Sequence, residues 1–167
     1  YSFIGMHPDL IWRCRGHSAE INRQALQRPD AYEPCGPGVL ESLRALHAES
    51  AIELPPHLPP MAAGLIGYMS YDTVLLMERL PDANPDVLDL PDGMFLRPTV
   101  IAVFDSIEDV VTIVTPVRPQ EELSADEAYR EGCERLASVL ADFSRSVAHE
   151  SNEPSASQEA PVPVSNM

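Results

Sequence analysis

Two runs of β-branched residues constrain the fold of this chain more than any other feature: TVIAVF (99–104) and VVTIVT (110–115). The polar stretch DSIED (105–109) separates them, so the pattern predicts a β-hairpin. Both runs are apolar at odd and at even positions, so neither strand has an obvious solvated face. We therefore expect both strands to lie at the centre of a sheet that is covered on both sides.

The amino-terminal segment predicts another hairpin. SFIGM (2–6) and LIWRC (10–14) are separated by HPD (7–9), in which proline presets a turn and aspartate can bond the backbone two residues on. Side chains in the second arm alternate as in a strand with one buried face and one solvated face. The predicted buried set, which places the tryptophan in the core, is Leu10, Trp12 and Cys14.

The next part of the chain predicts an irregular connection and then a helix. Residues 16–36 are polar and rich in turn formers, with strand pairing expected around Ala19 to Asn22. Pro37 can open a helix that ends by Ser50. The prolines at 55, 56, 59 and 60 exclude regular structure after that helix. Its predicted apolar face is Val39, Leu40, Leu43 and Leu46.

The stretch AGLIGYMSYD (63–72) predicts a strand that switches into a helix. Its glycines, Gly64 and Gly67, favour close packing over an anion-binding loop, because no basic residue lies between Arg44 and Arg79. Asp72 is placed to cap the helix that follows, and Pro81 ends it. The apolar residues Val87, Leu88 and Leu90 indicate that the proline- and aspartate-rich connection beyond lies over a surface.

A long amphipathic helix is predicted near the carboxyl end. Ser124 and Glu127 form a capping box at its start. The apolar residues that recur at helical spacing, and are expected to face the core, are Tyr129, Cys133, Leu136, Leu140, Phe143 and Val147.

The order of elements is hairpin, helix, strand, helix, hairpin and helix, which predicts an α+β fold with a largely antiparallel sheet. We expect one domain over residues 1–147 and a disordered linker over 148–167, which lacks a packable face. The chain begins inside a predicted strand and stops after a polar stretch. We therefore expect it to be a fragment, with a catalytic domain following the linker.

Composition narrows the function classes. The net charge of −15 opposes binding to nucleic acid, whose phosphates need a basic surface. All eleven basic residues are arginine, so the chain lacks the lysine that a Schiff base or a Walker-type phosphate loop requires. Three widely spaced cysteines indicate free thiols in a reducing compartment. Apolar runs are far short of a membrane span, and the start lacks a secretory pattern. We expect a soluble, cytoplasmic protein.

Three groups of polar side chains are candidates for a site, and a structural role explains each one better. Cys14-x-x-His17 lacks the second pair that a zinc site requires, so it predicts a core cysteine and a surface histidine. The acidic residues of DSIED lack the ligand periodicity of a calcium loop and indicate a solvated turn; they are Asp105, Glu108 and Asp109. Acidic residues at 121, 122, 126, 127 and 131 suit the first turns of a helix, where the dipole favours negative charge.

Two segments carry a family resemblance. The first is Tyr1-Ser2-Phe3-Ile4-Gly5 with the Pro8-Asp9 turn that follows it, and the second is MAAGLIGYMSYDTVLLMERLP (61–81). Together they resemble the amino-terminal region of anthranilate synthase component I, and the likeness runs through about residues 1–147. Ala63 replaces the first of two paired glycines in the family pattern. The positions of the second segment and of the preceding proline that match are Pro60, Gly64, Gly67, Tyr68, Tyr71, Asp72, Glu78, Leu80 and Pro81.

This resemblance implies a complete enzyme that converts chorismate to anthranilate and pyruvate, using magnesium and ammonia that a glutamine amidotransferase subunit (component II) releases. In such proteins the catalytic, chorismate-binding and magnesium-binding residues lie in the carboxy-terminal region. The resemblance therefore implies no catalytic, cofactor or metal residue in this chain. The amino-terminal region helps form the feedback pocket for tryptophan, and Tyr1 and Ser2 would border that pocket.

Two other interpretations remain open from the sequence. The aminodeoxychorismate synthase large subunit shares the general layout and the amidotransferase partner, although the Tyr-Ser-Phe-Ile-Gly start and the Gly-Tyr-x-x-Tyr-Asp-Thr-Val run favour the tryptophan enzyme. Alternatively, the chain is an autonomous acidic binding module with a disordered tail. The start within a strand argues against this second alternative.

Overall fold

The computed structural model describes residues 1–36, 38–81, 86–119 and 123–145. Within these residues the chain forms six strands and two α-helices, together with a 3₁₀ helix at Tyr71–Leu76. The strands are β1 (Ser2–Arg15), β2 (Ser18–Asn22), β3 (Glu33–Pro34), β4 (Ile66–Met69), β5 (Gly93–Asp105) and β6 (Val110–Val114), and the helices are α1 (Val39–Ser50) and α2 (Ala125–Phe143).

All strands belong to one antiparallel sheet in which β5 is central. The order is β3, β2, β1, β5 and β4, and β6 also pairs with β5. One half of β5 pairs with β4 at Gly93–Leu96, and the other half pairs with β6 at Ile101–Asp105. The α+β class with an antiparallel sheet is therefore confirmed.

The prediction of a hairpin at the amino terminus is wrong, because β1 is one continuous strand of 14 residues. Both of its halves pair with β5, and the register shifts between Pro8 and Leu10, so that Asp9 is the extra residue of a β-bulge. His7 adopts a left-handed conformation with φ 51°, and its carbonyl accepts a hydrogen bond from the Thr99 hydroxyl at 2.8 Å. The turn residues thus bend a strand instead of reversing it.

The prediction that Trp12 lies in the core is confirmed. Leu10, Trp12 and Cys14 are buried against Val39 and Leu46 of α1. The Trp12 indole N–H donates to the Ser42 hydroxyl at 3.1 Å, which satisfies the one polar atom of this ring. Helix α1 therefore covers the sheet where β1 lies between β2 and β5.

The hairpin of β5 and β6 is confirmed, but its two strands differ in burial. Every residue of β5 from 98 to 103 is buried, so both faces of the strand are covered there. Strand β6 was expected to be central as well, and this is wrong: Val110 and Val111 are exposed. Within the part of the chain that the structure describes, β6 pairs only with β5.

Helix α2 begins with the predicted capping box, since Ser124 and Glu127 exchange both hydrogen bonds. The expected core face is wrong. Gly132 packs on the connection that leaves β6, where an added Cβ would lie 2.8 Å from a methyl group of Val117. Ala128 and Gly132 allow this close approach, whereas most of the bulky residues that were expected inside lie outside. The buried positions are Ala128, Gly132 and Val139, the exposed ones are Tyr129, Cys133, Leu140 and Phe143, Leu136 is half-buried, and Val147 lies outside the described residues.

The packing strand expected in AGLIGYMSYD is confirmed as β4, and its two glycines have different roles. An added Cβ at Gly67 would overlap the carbonyl oxygen of Met94, so glycine is required for β4 to approach β5. Gly64 has open space around it and a φ of 136°, a conformation that L residues rarely adopt.

The helix expected after Tyr71 is a short 3₁₀ helix that ends at Leu76, before Pro81. The predicted cap by Asp72 is wrong: Ser70 occupies the cap position, and no side chain accepts a hydrogen bond from the N–H groups at the start of the helix. The connection that follows is held on the sheet, as expected, by the Arg15–Asp89 and Tyr68–Pro91 contacts, but its apolar side chains are exposed; they are Val87, Leu88 and Leu90. The division into a domain at 1–147 and a linker at 148–167 stays a prediction, since residues 146–167 lie outside the described part.

Candidate functional site

Tyr1 and Ser2, the residues expected to border a tryptophan pocket, lie at the open end of the sheet. Ser2 pairs with Phe104, and Tyr1 is exposed beside the β5–β6 turn. The negative charge of Asp105 and a hydrogen bond to it raise the pKa of the Tyr1 phenol. Backbone N–H groups of Glu108 and Ile107 in turn lower the pKa of Asp105. The position of Tyr1 and Ser2 at the border of a tryptophan pocket stays a prediction.

The acidic turn is the solvated turn that the sequence predicts. The Asp105 carboxylate accepts hydrogen bonds from the backbone of Ile107 and Glu108 at 2.9 and 3.1 Å, and Asp109 has a positive φ. Among the described residues, no three histidine, cysteine or acidic side chains converge as metal ligands. The described residues therefore do not fit a magnesium site.

Cys14 and His17 do not form a site. Cys14 is buried in the core, and burial is the main reason that its thiol pKa is raised. His17 is exposed in the turn after β1. The prediction of a core cysteine and a surface histidine is confirmed.

A network of ion pairs joins α1 to the sheet. The guanidinium of Arg97 binds both carboxylate oxygens of Asp9, at 2.9 and 3.0 Å, and also contacts Glu49 at 3.2 Å. Arg23 binds Glu49 with two further hydrogen bonds, and this contact is the main reason that the Glu49 pKa is lowered. Each carboxylate of the network has a cationic partner. The network therefore has a structural role, which is to hold α1 on the sheet.

A cleft of about 1010 Å³, which sequence reasoning missed, lies beside β4. Its walls are the 3₁₀ helix, residues 86–92 and the turn after β1. We call it the apolar cleft, because six large apolar side chains line it and remain between 44% and 83% exposed; they are Tyr68, Tyr71, Leu80, Val87, Leu88 and Leu90. The available signal was the run of apolar residues within a connection rich in proline and aspartate.

Hydrogen bonds hold the far wall of the apolar cleft against the sheet. Asp92 is fixed by three of them: its N–H donates to Cys14, its carbonyl accepts from Ser70, and its carboxylate accepts from the Gly16 N–H. The Tyr68 hydroxyl donates to the carbonyl of Pro91 at 2.9 Å. No nucleophile is paired with a base in the part of the cleft that the structure describes. The geometry suits binding more than bond making.

The comparisons with known proteins agree on one relationship. The chain is 49% identical over 145 residues to anthranilate synthase component 1 of Cereibacter sphaeroides, an alignment that covers 87% of this chain. It is also 44% identical over 127 residues, or 75% of this chain, to the protein of the same name from Thermus thermophilus. Over the matched residues, the chain belongs to the anthranilate synthase component 1 family. No family model matches it.

A solved structure supports the family fold. The crystal structure of anthranilate synthase component I from Streptococcus pneumoniae TIGR4 superposes with a TM-score of 0.68 at 16% identity, and covers 88% of this chain. The alignments span 29% and 25% of the Cereibacter and Thermus anthranilate synthase proteins and 30% of the Streptococcus chain, so this sequence corresponds to less than a third of each. Within the described residues, no helix is long and apolar enough to span a membrane.

Proposed function

We propose that this chain is the amino-terminal scaffold and regulatory part of an anthranilate synthase component 1. The complete protein would convert chorismate and glutamine-derived ammonia to anthranilate and pyruvate, with magnesium bound by residues outside this chain. The observation that carries the proposal is the 49% identity over 145 residues to a protein of that name.

The experiment uses the complete protein that contains this chain. Purified with magnesium, ammonium and chorismate, it should form anthranilate, which is followed by its fluorescence, and tryptophan should inhibit the reaction. Residues 1–167 alone should form none under the same conditions. A complete protein that yields only aminodeoxychorismate, or anthranilate formation by residues 1–167, would contradict the proposal.

The regulatory role is assigned to the open end of the sheet. Tyr1 and Ser2 would border the tryptophan pocket, so Tyr1→Ala and Ser2→Ala in the complete protein should raise the tryptophan concentration for half inhibition with little change in kcat. The matched control is Ile107→Ala, which alters an exposed side chain at the same end of the sheet. Unchanged inhibition in both Tyr1→Ala and Ser2→Ala would remove these residues from the regulatory site and leave the catalytic proposal standing.

The partner would be a glutamine amidotransferase subunit, component 2, because the relatives are named as component 1. The complete protein should then use glutamine only when component 2 is present, whereas ammonium should support the reaction without it.

A further inference from the structure

The apolar cleft exposes more large apolar side chains than its own fold requires. Tyr71, Val87 and Leu88 are at least three-quarters exposed although they lie in one cleft. Soluble proteins rarely keep a contiguous apolar patch in water unless a partner covers it. The patch therefore indicates an interaction surface.

The walls of the cleft cannot simply collapse over these side chains. Asp92 and Pro91 are tied to the sheet by the bonds described above, and Arg15 holds Asp89 by its side chain and its carbonyl, both at 2.7 Å. Val87, Leu88 and Leu90 are carried by this fixed wall. A preformed wall lowers the ordering cost of binding, which favours a docking surface over a loop awaiting local collapse.

Charge around the cleft limits what can occupy it. Four aspartates line it, Asp72, Asp86, Asp89 and Asp92, whereas Arg15 is the one arginine among the lining residues and is already paired with Asp89. A second copy of this chain, with its net charge of −15, would bring like charges together. The complementary occupant is a protein surface with apolar side chains at its centre and lysine or arginine at its rim.

We propose that the apolar cleft is the docking surface for the component 2 subunit, through an apolar segment of that subunit bordered by basic residues. This proposal rests on the proposed function, which supplies the partner. The apolar centre gives the affinity, and the acidic rim speeds association and sets its orientation.

The test uses the complete component 1 and purified component 2 of the same source, with binding followed by calorimetry. The double variant V87E/L88E should weaken binding about 30-fold or more, because it puts charge into the centre of the interface. Ile107→Glu is the matched control, since Ile107 is 91% exposed on the β5–β6 turn, and it should bind like wild type. Equal affinity of V87E/L88E and wild type, or no binding of component 2 by wild type, would overturn the proposal.

The rim is tested by charge reversal. Asp72→Lys should slow association about 3-fold to 10-fold at low salt, and the difference should shrink as salt is added. Asp30→Lys, an exposed aspartate outside the cleft, should change the rate less. An Asp72→Lys variant that associates as fast as Asp30→Lys would overturn the charge-based choice of partner.

Two further measurements identify other occupants. Val87→Cys should react with a water-soluble maleimide in component 1 alone and be protected by component 2, with peptide mass spectrometry separating it from the native thiols. If Val87→Cys is protected from the maleimide in component 1 alone, the rest of that polypeptide covers the cleft. If wild-type component 1 is a dimer and the V87E/L88E variant is a monomer, a second copy covers it. Either result overturns the proposal. Anthranilate formation with ammonium is scored separately, so failure of docking and failure of the proposed function remain distinguishable.

Discussion

Strand β1 runs through two different environments, although a single partner strand, β5, pairs with both halves. In the covered half, from Leu10 to Cys14, the inward side chains are buried under α1, and β2 pairs along the other edge. In the open half, from Ser2 to Met6, Phe3 and Ile4 are 40% and 52% exposed. No strand other than β5 pairs with this half within the described residues.

The difference shows that an alternating strand stabilises a fold only where another layer lies over it. The facing residues of β5, from Val100 to Val103, are buried beside the open half, so the pairing itself is sound there. Phe3 and Ile4 themselves lack the burial that α1 gives to Leu10 and Trp12. We therefore expect the covered half to carry most of the stability of the chain and the open half to be available for function.

The sharpest test compares Trp12→Ala with Phe3→Ala. Removing the Trp12 ring should cost about 3–5 kcal/mol of unfolding free energy, because a large cavity opens beneath α1. Phe3→Ala should cost less than about 1 kcal/mol, since its ring is already partly in water. Urea unfolding followed by circular dichroism measures both. Similar costs at the two positions would break the division into a covered half and an open half.

A second test concerns β4, which pairs with β5 on the edge opposite β1. Gly67→Ala should cost about 2–3 kcal/mol, because the new methyl group meets the backbone of Met94 and Phe95, which cannot rotate away. Gly36→Ala is the control: an added Cβ there meets nothing within 4 Å and its φ is not strained. A Gly67→Ala chain as stable as Gly36→Ala would show that β4 contributes little to the sheet.

The sequence predicted the covered half better than the open half, for a physical reason. Alternation in LIWRC reflects one buried and one solvated face, so Trp12 was identifiable as core. In the HPD stretch the same turn residues suit a hairpin or a bulge, and the choice depends on whether both arms pair with β5, about 90 residues away. Local patterns do not contain that information.

The prediction for α2 was wrong because it placed the large apolar side chains in the core. Tyr129 was expected to be buried but is exposed, and Gly132 is buried instead. Close helix packing favours small residues, whereas an apolar pattern gives most weight to large ones. The apolar cleft was missed because two segments separated in sequence, the 3₁₀ helix and residues 86–92, form it together. Tyr1 and Ser2 were chosen by family resemblance, and their role stays a prediction.

A third test uses pH to sharpen the comparison, because ion pairs link α1 to the covered half. Arg23 first, and Arg97 as well, hold the pKa of Glu49 below its ordinary value of 4.5 in the folded chain. Glu49 therefore stabilises the folded state above that value and loses this contribution as the pH falls below it. Its side chain is 40% exposed, so we expect only about 1 kcal/mol at pH 7.

Glu49→Gln should thus be less stable than wild type at pH 7, and the gap should narrow as the pH falls below 4.5. Urea midpoints across this range measure it. The control is Glu41→Gln, which removes an exposed contact to Arg44 of 3.9 Å and should change little at any pH. A gap that stays constant with pH would show that the ionised carboxylate of Glu49 does not hold α1 on the sheet.

The smallest expected effect is a loss of stability confined to α2, which leaves the covered half unchanged. Ser124→Ala removes the cap that accepts a hydrogen bond from the Glu127 N–H, and should cost about 0.5 kcal/mol. Ser124→Asp keeps an acceptor and should restore most of it. Trp12 is the only tryptophan, so its fluorescence reports on the covered half, whereas circular dichroism at 222 nm reports on both helices. Because α2 packs on the connection after β6 and not on Trp12, Ser124→Ala should loosen the helical signal before the fluorescence changes. Coincident shifts of both signals would mean that α2 and the covered half unfold as one cooperative unit.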